Sequence, residues 1–386
     1  MMHKQKKIFI GVLLIFFICL RVSKGFQKEK DRSSQIDAVH ISIKKSADYL
    51  FKNIKNNGMF MYRINMDSTV KVKEKYNILR HSGTIYAMSM YYQMNPNDEM
   101  RSLLERIGKY LKDESIGYTT DGDNLLSVWS KPEVNKSNQP LQAKLGGTGL
   151  GLVALLSLEK IHPEFTPLAD LRKLGQFITY MQKENGDFYF KYVPSMGGRQ
   201  DGWLSEYYPG EAALGLVMLY EKDHSDIWIQ SAVKALEYLA EKRKNTTDIP
   251  ADHWALLATQ KLFSLENIEK LAIPRDLLIN HGIQICEIII KEQIEGHKQS
   301  KYNGGFAKDG RTTPASTRLE GLLAALSFLP KDQDIVKRID TAVYRGISFL
   351  LQAQINEGEF AGAFPRAISK IDQNTRKTKK IQSTRK

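Results

Sequence analysis

Two kinds of helical segment alternate along this chain, and that alternation restricts its possible folds more than any other feature. One kind is amphipathic, with apolar residues three and four apart and charges between them, over approximately 36–56, 97–113, 167–184, 225–244, 275–294 and 335–355. The other is far more apolar and rich in Gly and Ala, over Ser82 to Tyr92, Thr148 to Leu158, Pro209 to Tyr220, His253 to Leu262 and Thr317 to Leu329. A helix with one apolar stripe lies outside a core, whereas one apolar nearly all round lies within it. The pairing predicts an all-α fold, an (α/α)6-like ring of helical hairpins with one ring of helices inside another.

The turns repeat as well. Ala47 and Leu50 lead to Asn57-Gly58-Met59-Phe60, and Gly175-Gln176-Phe177 leads through Gln182 to Asn185-Gly186-Asp187-Phe188. Asn303-Gly304-Gly305-Phe306 closes another helix, and Gly346 to Leu350 leads through Gln352 and Gln354 to Gly358-Glu359-Phe360. Glycine supplies the left-handed conformation that ends a helix, and the aromatic folds back to seal the turn. Six outer helices call for six inner ones, yet beyond Arg366 the chain is polar and basic, with Ile368, Ile371 and Ile381 as its large apolar residues. The sixth inner helix is therefore expected to be missing.

Small-x-x-aromatic-Leu, a downstream Gln and then Gly-x-aromatic, best seen at 175–188 and 346–360, resembles the repeat of the terpenoid-cyclase and prenyltransferase α/α-toroid proteins. The resemblance implies a toroid over 36–365, not the relatives' chemistry, because no Asp-rich acid cluster, zinc set or thioester motif accompanies it. The segment Trp203 to Leu216 is also similar to the inner-helix entrance of glucuronyl C5-epimerase and other glycan-active α/α-barrel enzymes.

A net charge of +13 suggests a nucleic-acid binder until its distribution is read. Residues 1–25 hold five basic residues and no acid, and 366–386 hold eight basic residues and one acid, which leaves +1 on residues 26–365. The body is nearly neutral, so no nucleic-acid partner is expected. Lys4, Lys6 and Lys7 precede the 13-residue apolar run Ile8 to Leu20, a signal-peptide core rather than a span, which needs about 20 residues. Residues 1–25 therefore read as a signal peptide cleaved after Gly25, or as an N-terminal anchor if uncleaved, with the body, 26–365, secreted or periplasmic. The tail, 366–386, reads as a solvated disordered end, with a polyanion contact as the alternative. Of two cysteines, Cys19 lies in the leader and Cys286 in an apolar stretch, so an internal disulfide is impossible; neither metal nor cofactor is expected.

In a ring of hairpins, the loops entering the inner helices converge on one mouth, which should carry any site. Glu206, Asp252, His81 and Tyr207 are the candidate catalytic residues. Arg80, Lys144, Arg199, Asp201, Trp203, Tyr208, His253, Trp254, Arg318 and Glu320 are the candidate substrate contacts. Several have plainer readings. Gly146-Gly147-Thr148-Gly149 suits close helix packing better than a phosphate cradle, and Glu320 follows Thr317 at capping-box spacing. Asp252 can be an N-cap with Trp254 as core filler, and His81 can be structural. Pro209 suits the first helical position, with Glu211 complementing the dipole.

Aromatic faces among hydrogen-bonding groups suit sugar rings, and Arg80, Lys144, Arg199 and Arg318 suit the anionic groups of an acidic glycan. Glu206 with Asp252 or Glu320 can hydrolyse a glycosidic bond. Alternatively, His81 or Tyr207 can abstract a proton beside a uronate carboxylate, giving a lyase or epimerase. The expected function is an extracytoplasmic enzyme acting on a polysaccharide or glycan. The alternative is a non-catalytic cell-envelope protein that binds a glycan or a protein partner.

Overall fold

A computed structural model describes residues 7–9, 29–72, 75–120, 124–266 and 268–369. The tail beyond Ser369 lies outside the described residues, as does the proposed leader apart from Lys7–Phe9, a short strand antiparallel to Arg63–Asn65. Among the described residues, no helix is long and apolar enough to cross a membrane.

Six amphipathic helices form the outer layer: α1 (Glu29–Lys52), α3 (Asp98–Ser115), α6 (Leu168–Tyr180), α8 (Asp226–Arg243), α10 (Arg275–Glu292) and α12 (Asp334–Ala353). Between them run five inner helices, α2 (Ile78–Met94), α5 (Leu145–Glu159), α7 (Tyr208–Asp223), α9 (His253–Phe263) and α11 (Thr312–Ala325), and a single helical turn, α4 (Pro132–Asn135). Every residue of α5 is buried, as are Tyr208 to Leu219 of α7. On α3, by contrast, burial follows one stripe through Leu104, Ile107 and Leu111. The two sequence classes thus separate into an inner and an outer layer. The inner helix expected at 317–329 begins five residues earlier, so Thr317 lies inside α11 and the capping-box reading of Glu320 is corrected. Pro209 likewise sits second in α7 rather than first.

Glycines let the inner helices approach closely, and the contacts show their direction. A Cβ on Gly147 of α5 would meet Leu79 of α2 at 3.3 Å, one on Gly149 would meet the Ala212 amide at 2.8 Å, and one on Gly210 would meet the Ala255 amide at 2.6 Å. Gly321 of α11 lies against His253 of α9 at 2.9 Å by the same measure. The first turns of α2, α5, α7 and α9 are therefore neighbours and α11 runs alongside, so these helices are parallel with their N-termini at one mouth. Thr148 of the Gly-rich segment accepts a hydrogen bond from the Val128 amide at 3.1 Å, which supports its packing role.

The long loops at this mouth also carry strands too short to show periodicity in the sequence. β3 (Ile116–Tyr118), β4 (Leu126–Ser130), β5 (Gln142–Lys144), β6 (Lys191–Val193) and β7 (Gly198–Gln200) make one antiparallel sheet. With Lys7–Phe9 as β1 and Arg63–Asn65 as β2, these strands qualify the all-helical expectation without changing the architecture.

The repeated turn is a clip between successive outer helices. After α6, Gln182 donates from Nε2 to the carbonyls of Gly186 and of Ser231 on α8. After α10, Gln293 does the same with Gly304 and Ala342 on α12. After α12, Gln354 reaches Gly362 and Ser42 on α1, which closes the outer ring. The last clip therefore uses Gly362-Ala363-Phe364, four residues beyond the Gly358-Glu359-Phe360 expected from the sequence. No inner helix follows α12 among the described residues; the chain instead pairs Ala367 with Arg311 at the start of α11.

Candidate active site at the long-loop mouth

Residues 201–206 cross the mouth as an exposed strap before α7, apart from half-buried Ser205. Tyr207 and Tyr208, adjacent at the start of the helix, then diverge to its two neighbours. Tyr208 turns toward α5, where its ring lies 5.3 Å from that of Trp203 and a Cβ on Gly146 would collide with it. Trp203 is 39% exposed, and the Lys191 ammonium stands 4.3 Å from its ring centroid. Beneath them lies buried Glu211, packed against Gly146 with Oε2 lacking a protein partner. Burial raises its pKa well above the carboxylate range, aided by the charge of Asp252.

Tyr207 turns the other way, its ring edge-on to His253 at 5.8 Å. Burial raises the Tyr207 pKa, opposed by Arg318 and reinforced by Glu206, Asp252 and Glu292, which places these charges around its phenol. Burial and the cation of Arg318 lower His253 to about 3, so its imidazole is neutral at physiological pH. Arg318 is itself held in a two-point ion pair by Glu292, at 2.7 Å from Nε and 2.5 Å from Nη2. The carboxyl of Glu206 is exposed on this side, while its backbone carbonyl accepts from Arg243.

Asp252 is wholly buried and both of its oxygens are engaged. Oδ1 accepts from the Ala255 amide at 3.1 Å as the N-cap of α9, and Oδ2 accepts from Arg243 at 2.9 Å. Burial pushes its pKa up against the pull of Arg243 and of the amide. Behind it, His281 faces the same guanidinium at 3.3 Å, its pKa lowered to about 3 by burial and by Arg243. Trp254 is buried, with its ring 4.9 Å from His253.

The other candidates lie apart from this cluster. His81 is enclosed by Phe60, Tyr76 and Tyr110 between α2 and α3. The Ile107 carbonyl, 2.9 Å from Nε2, can only accept, which assigns the ring proton to Nε2 and leaves Nδ1 to accept from the Tyr76 hydroxyl at 2.7 Å. Burial lowers its pKa to about 4. Arg199 stacks on Tyr180 and Tyr189 at 4.5 and 4.9 Å, and Asp201 pairs with Lys183. Arg80 lies over the Tyr62 ring at 5.6 Å. Glu320 is buried in the third turn of α11, its Oε2 without a protein partner; burial raises the pKa of the Tyr86 phenol on α2, and the nearby Glu320 carboxyl adds to it.

Lys191, Arg243 and Glu292 join the site unforeseen. Lys191 is recognisable only once β5 and β6 are placed in register, opposite Lys144. Arg243, at the end of an amphipathic helix, resembles any solvated cation in sequence. A separate cavity of about 480 Å³ opens at the other end of the ring, lined by the later turns of the inner helices, among them Tyr86, Met218 and Leu257. Among the described residues, no three His, Cys, Asp or Glu side chains gather as a metal site.

No family model matches this chain, and no curated protein matches it in sequence. Solved structures do match in shape. A cellobiose 2-epimerase from Bacillus thermoamylovorans B4167 is 13% identical with a TM-score of 0.62, over 90% of this chain and 92% of that one. A D-mannose isomerase is 10% identical with a TM-score of 0.60, over 90% and 94%. A GH76 α-mannanase of Bacteroides thetaiotaomicron is 11% identical with a TM-score of 0.55, over 88% and 90%. Likeness over such a share of both chains, at so low an identity, establishes the architecture: this chain folds as an α/α toroid, the ring of hairpins these sugar-active enzymes share.

Proposed function

We propose that this chain is a carbohydrate-active enzyme that moves a proton on a sugar bound across the long-loop mouth. The carrying observation is the divergence of Tyr207 and Tyr208, which sets a neutral imidazole and phenol on one side of α7 and, on the other, an aromatic platform: the exposed indole of Trp203 backed by buried Tyr208. A sugar bound against the indole presents the C–H beside its carboxylate, or beside its carbonyl once the ring opens, to Tyr207, His253 and Glu206. Proton transfer is favoured over two-carboxylate hydrolysis because both oxygens of Asp252 are committed to structural bonds and Glu320 is enclosed within α11 at 3% exposure, away from the exposed Glu206 carboxyl. The similarity in fold to an epimerase and an isomerase supports the same class of chemistry. The basic-then-apolar leader, Lys4 to Leu20, supports a location outside the cytoplasm.

The test is incubation of the purified protein in D2O with mannose, cellobiose, mannan and uronate oligosaccharides, followed by NMR. Deuterium at a carbon-bound position of the sugar is expected, with Tyr207→Phe and His253→Ala slower by about 10²–10⁴-fold. New reducing ends without deuterium would indicate a hydrolase instead. A non-catalytic glycan-binding role has one observation in its favour, that His81, Asp252 and Arg318 are all engaged by protein partners. Saccharide binding without any turnover would select it.

A further inference from the structure

The cations expected to read an acidic sugar are mostly occupied. Glu292 holds Arg318, and Arg199 lies flat on two tyrosines while donating to the Tyr180 carbonyl at 3.1 Å. Arg80 lies over the Tyr62 ring, which leaves Lys144, with Lys191 beside it. Lys144 ends β5 and Lys191 begins β6, directly opposite one another in the antiparallel register. The neighbouring pair, Ala143 and Tyr192, is fully buried, so the lysines share the opposite face of the sheet. Both are half-buried, and neither has a carboxylate partner among the described residues. Burial and the charge of Lys191 lower the Lys144 pKa, and burial lowers that of Lys191.

Like charges directly opposite on a sheet destabilise it, and desolvation adds to that cost. An anion placed between the two ammonium groups would relieve both. Lys191 also stands over Trp203, the platform of the proposed sugar site. We infer that Lys144 and Lys191, with Trp203, form a cationic subsite that binds the carboxylate or sulfate of a sugar stacked on the indole. The inference rests on the carbohydrate reading above and narrows its substrate to an acidic glycan.

Calorimetric titration of the full chain with trigalacturonate, a sulfated galactose trisaccharide and mannotriose tests it. The acidic sugars are expected to bind, more weakly at high salt. Lys144→Gln and Lys191→Gln should each weaken that binding by about tenfold, and by more than they weaken any mannotriose binding. Whichever acidic sugar binds more tightly identifies the anionic group. Trp203→Ala should weaken every sugar that binds. Thermal unfolding of the two glutamine variants serves as the folding control, and removing one of two like charges should leave them at least as stable as the wild type. If mannotriose binds as well as the acidic sugars, or the lysine variants bind acidic sugars normally, the subsite is wrong while the carbohydrate reading stands. If no saccharide binds, both fall.

Discussion

Glu320 is 3% exposed in the middle of α11, and one of its carboxyl oxygens has no protein partner. Burial holds its pKa well above the carboxylate range, and Glu211 behaves in the same way. In the unfolded chain such a carboxyl ionises near its ordinary value, so unfolding releases its proton at neutral pH. Stability is then lost as pH rises above that value, by up to about 1.4 kcal/mol per unit for each group until the folded carboxyl also ionises. Glu320→Gln has no proton to release and keeps the shape of the side chain. Its thermal midpoint should exceed the wild type's by more at pH 8 than at pH 5; a gap that stays constant or reverses would mean the carboxyl is already ionised in the fold. The buried histidines act in the opposite sense. His81, His253 and His281, lowered to about 4, 3 and 3, stay neutral when folded but take up protons on unfolding below about 6.5. Over pH 6.5 to 4 this loss opposes the gain from the buried carboxyls, so it is read as a difference: the midpoint of His281→Gln should drop less than the wild type's over that range. Sequence suggested a capping role for Glu320 because spacing alone cannot show where a helix begins, and α11 starts five residues before Thr317.

At the scale of elements, the Gln–Gly clip makes a ring from a row of hairpins. Gly362 has a φ of +90° and its missing Cβ faces the Lys45 carbonyl of α1, so any side chain there meets both backbone strain and a collision with backbone. Gly358 has a φ of +76° but open space around it. Gly362→Ala should cost more than about 3 kcal/mol, against about 1–2 kcal/mol for Gly358→Ala, which bears the left-handed strain alone. Gln354→Ala, which removes donors from Ser42, Ser46 and Gly362, should cost about 1–3 kcal/mol. Urea unfolding of the three variants measures these differences; equal losses at the two glycines would show that α12 is not clipped to α1. The turns after α1, α6 and α10 were legible because a single Gly-x-Phe follows each of those three helices. The fourth offers two such triplets, at Gly358 and Gly362, and only contact with a helix some 300 residues away in the chain selects the second.

At the scale of the whole molecule, polarity and burial follow one another closely enough that inner and outer helices could be told apart in the sequence, and with them the mouth where α7 and α9 begin. The orientation of individual polar side chains could not be read so directly. His81 and Glu206 both lie near the start of an inner helix, yet His81 is already inside the first turn of α2 and is enclosed against an outer helix, whereas Glu206 lies on the strap before α7 begins and is exposed. The same geometry gives the mouth an optical reporter. Of four tryptophans, Trp129, Trp228 and Trp254 are 6%, 3% and 6% exposed, and Trp203 is 39% exposed. Acrylamide should therefore quench one component of the emission, and Trp203→Phe should abolish it. A saccharide that stacks on the platform covers this indole and leaves the other three unchanged, so it should protect the quenchable component in proportion to its occupancy. A sugar that binds, or is turned over, without protecting Trp203 would place the site elsewhere, and the cavity lined by Tyr86 and Met218 at the far end of the ring would be the next place to test.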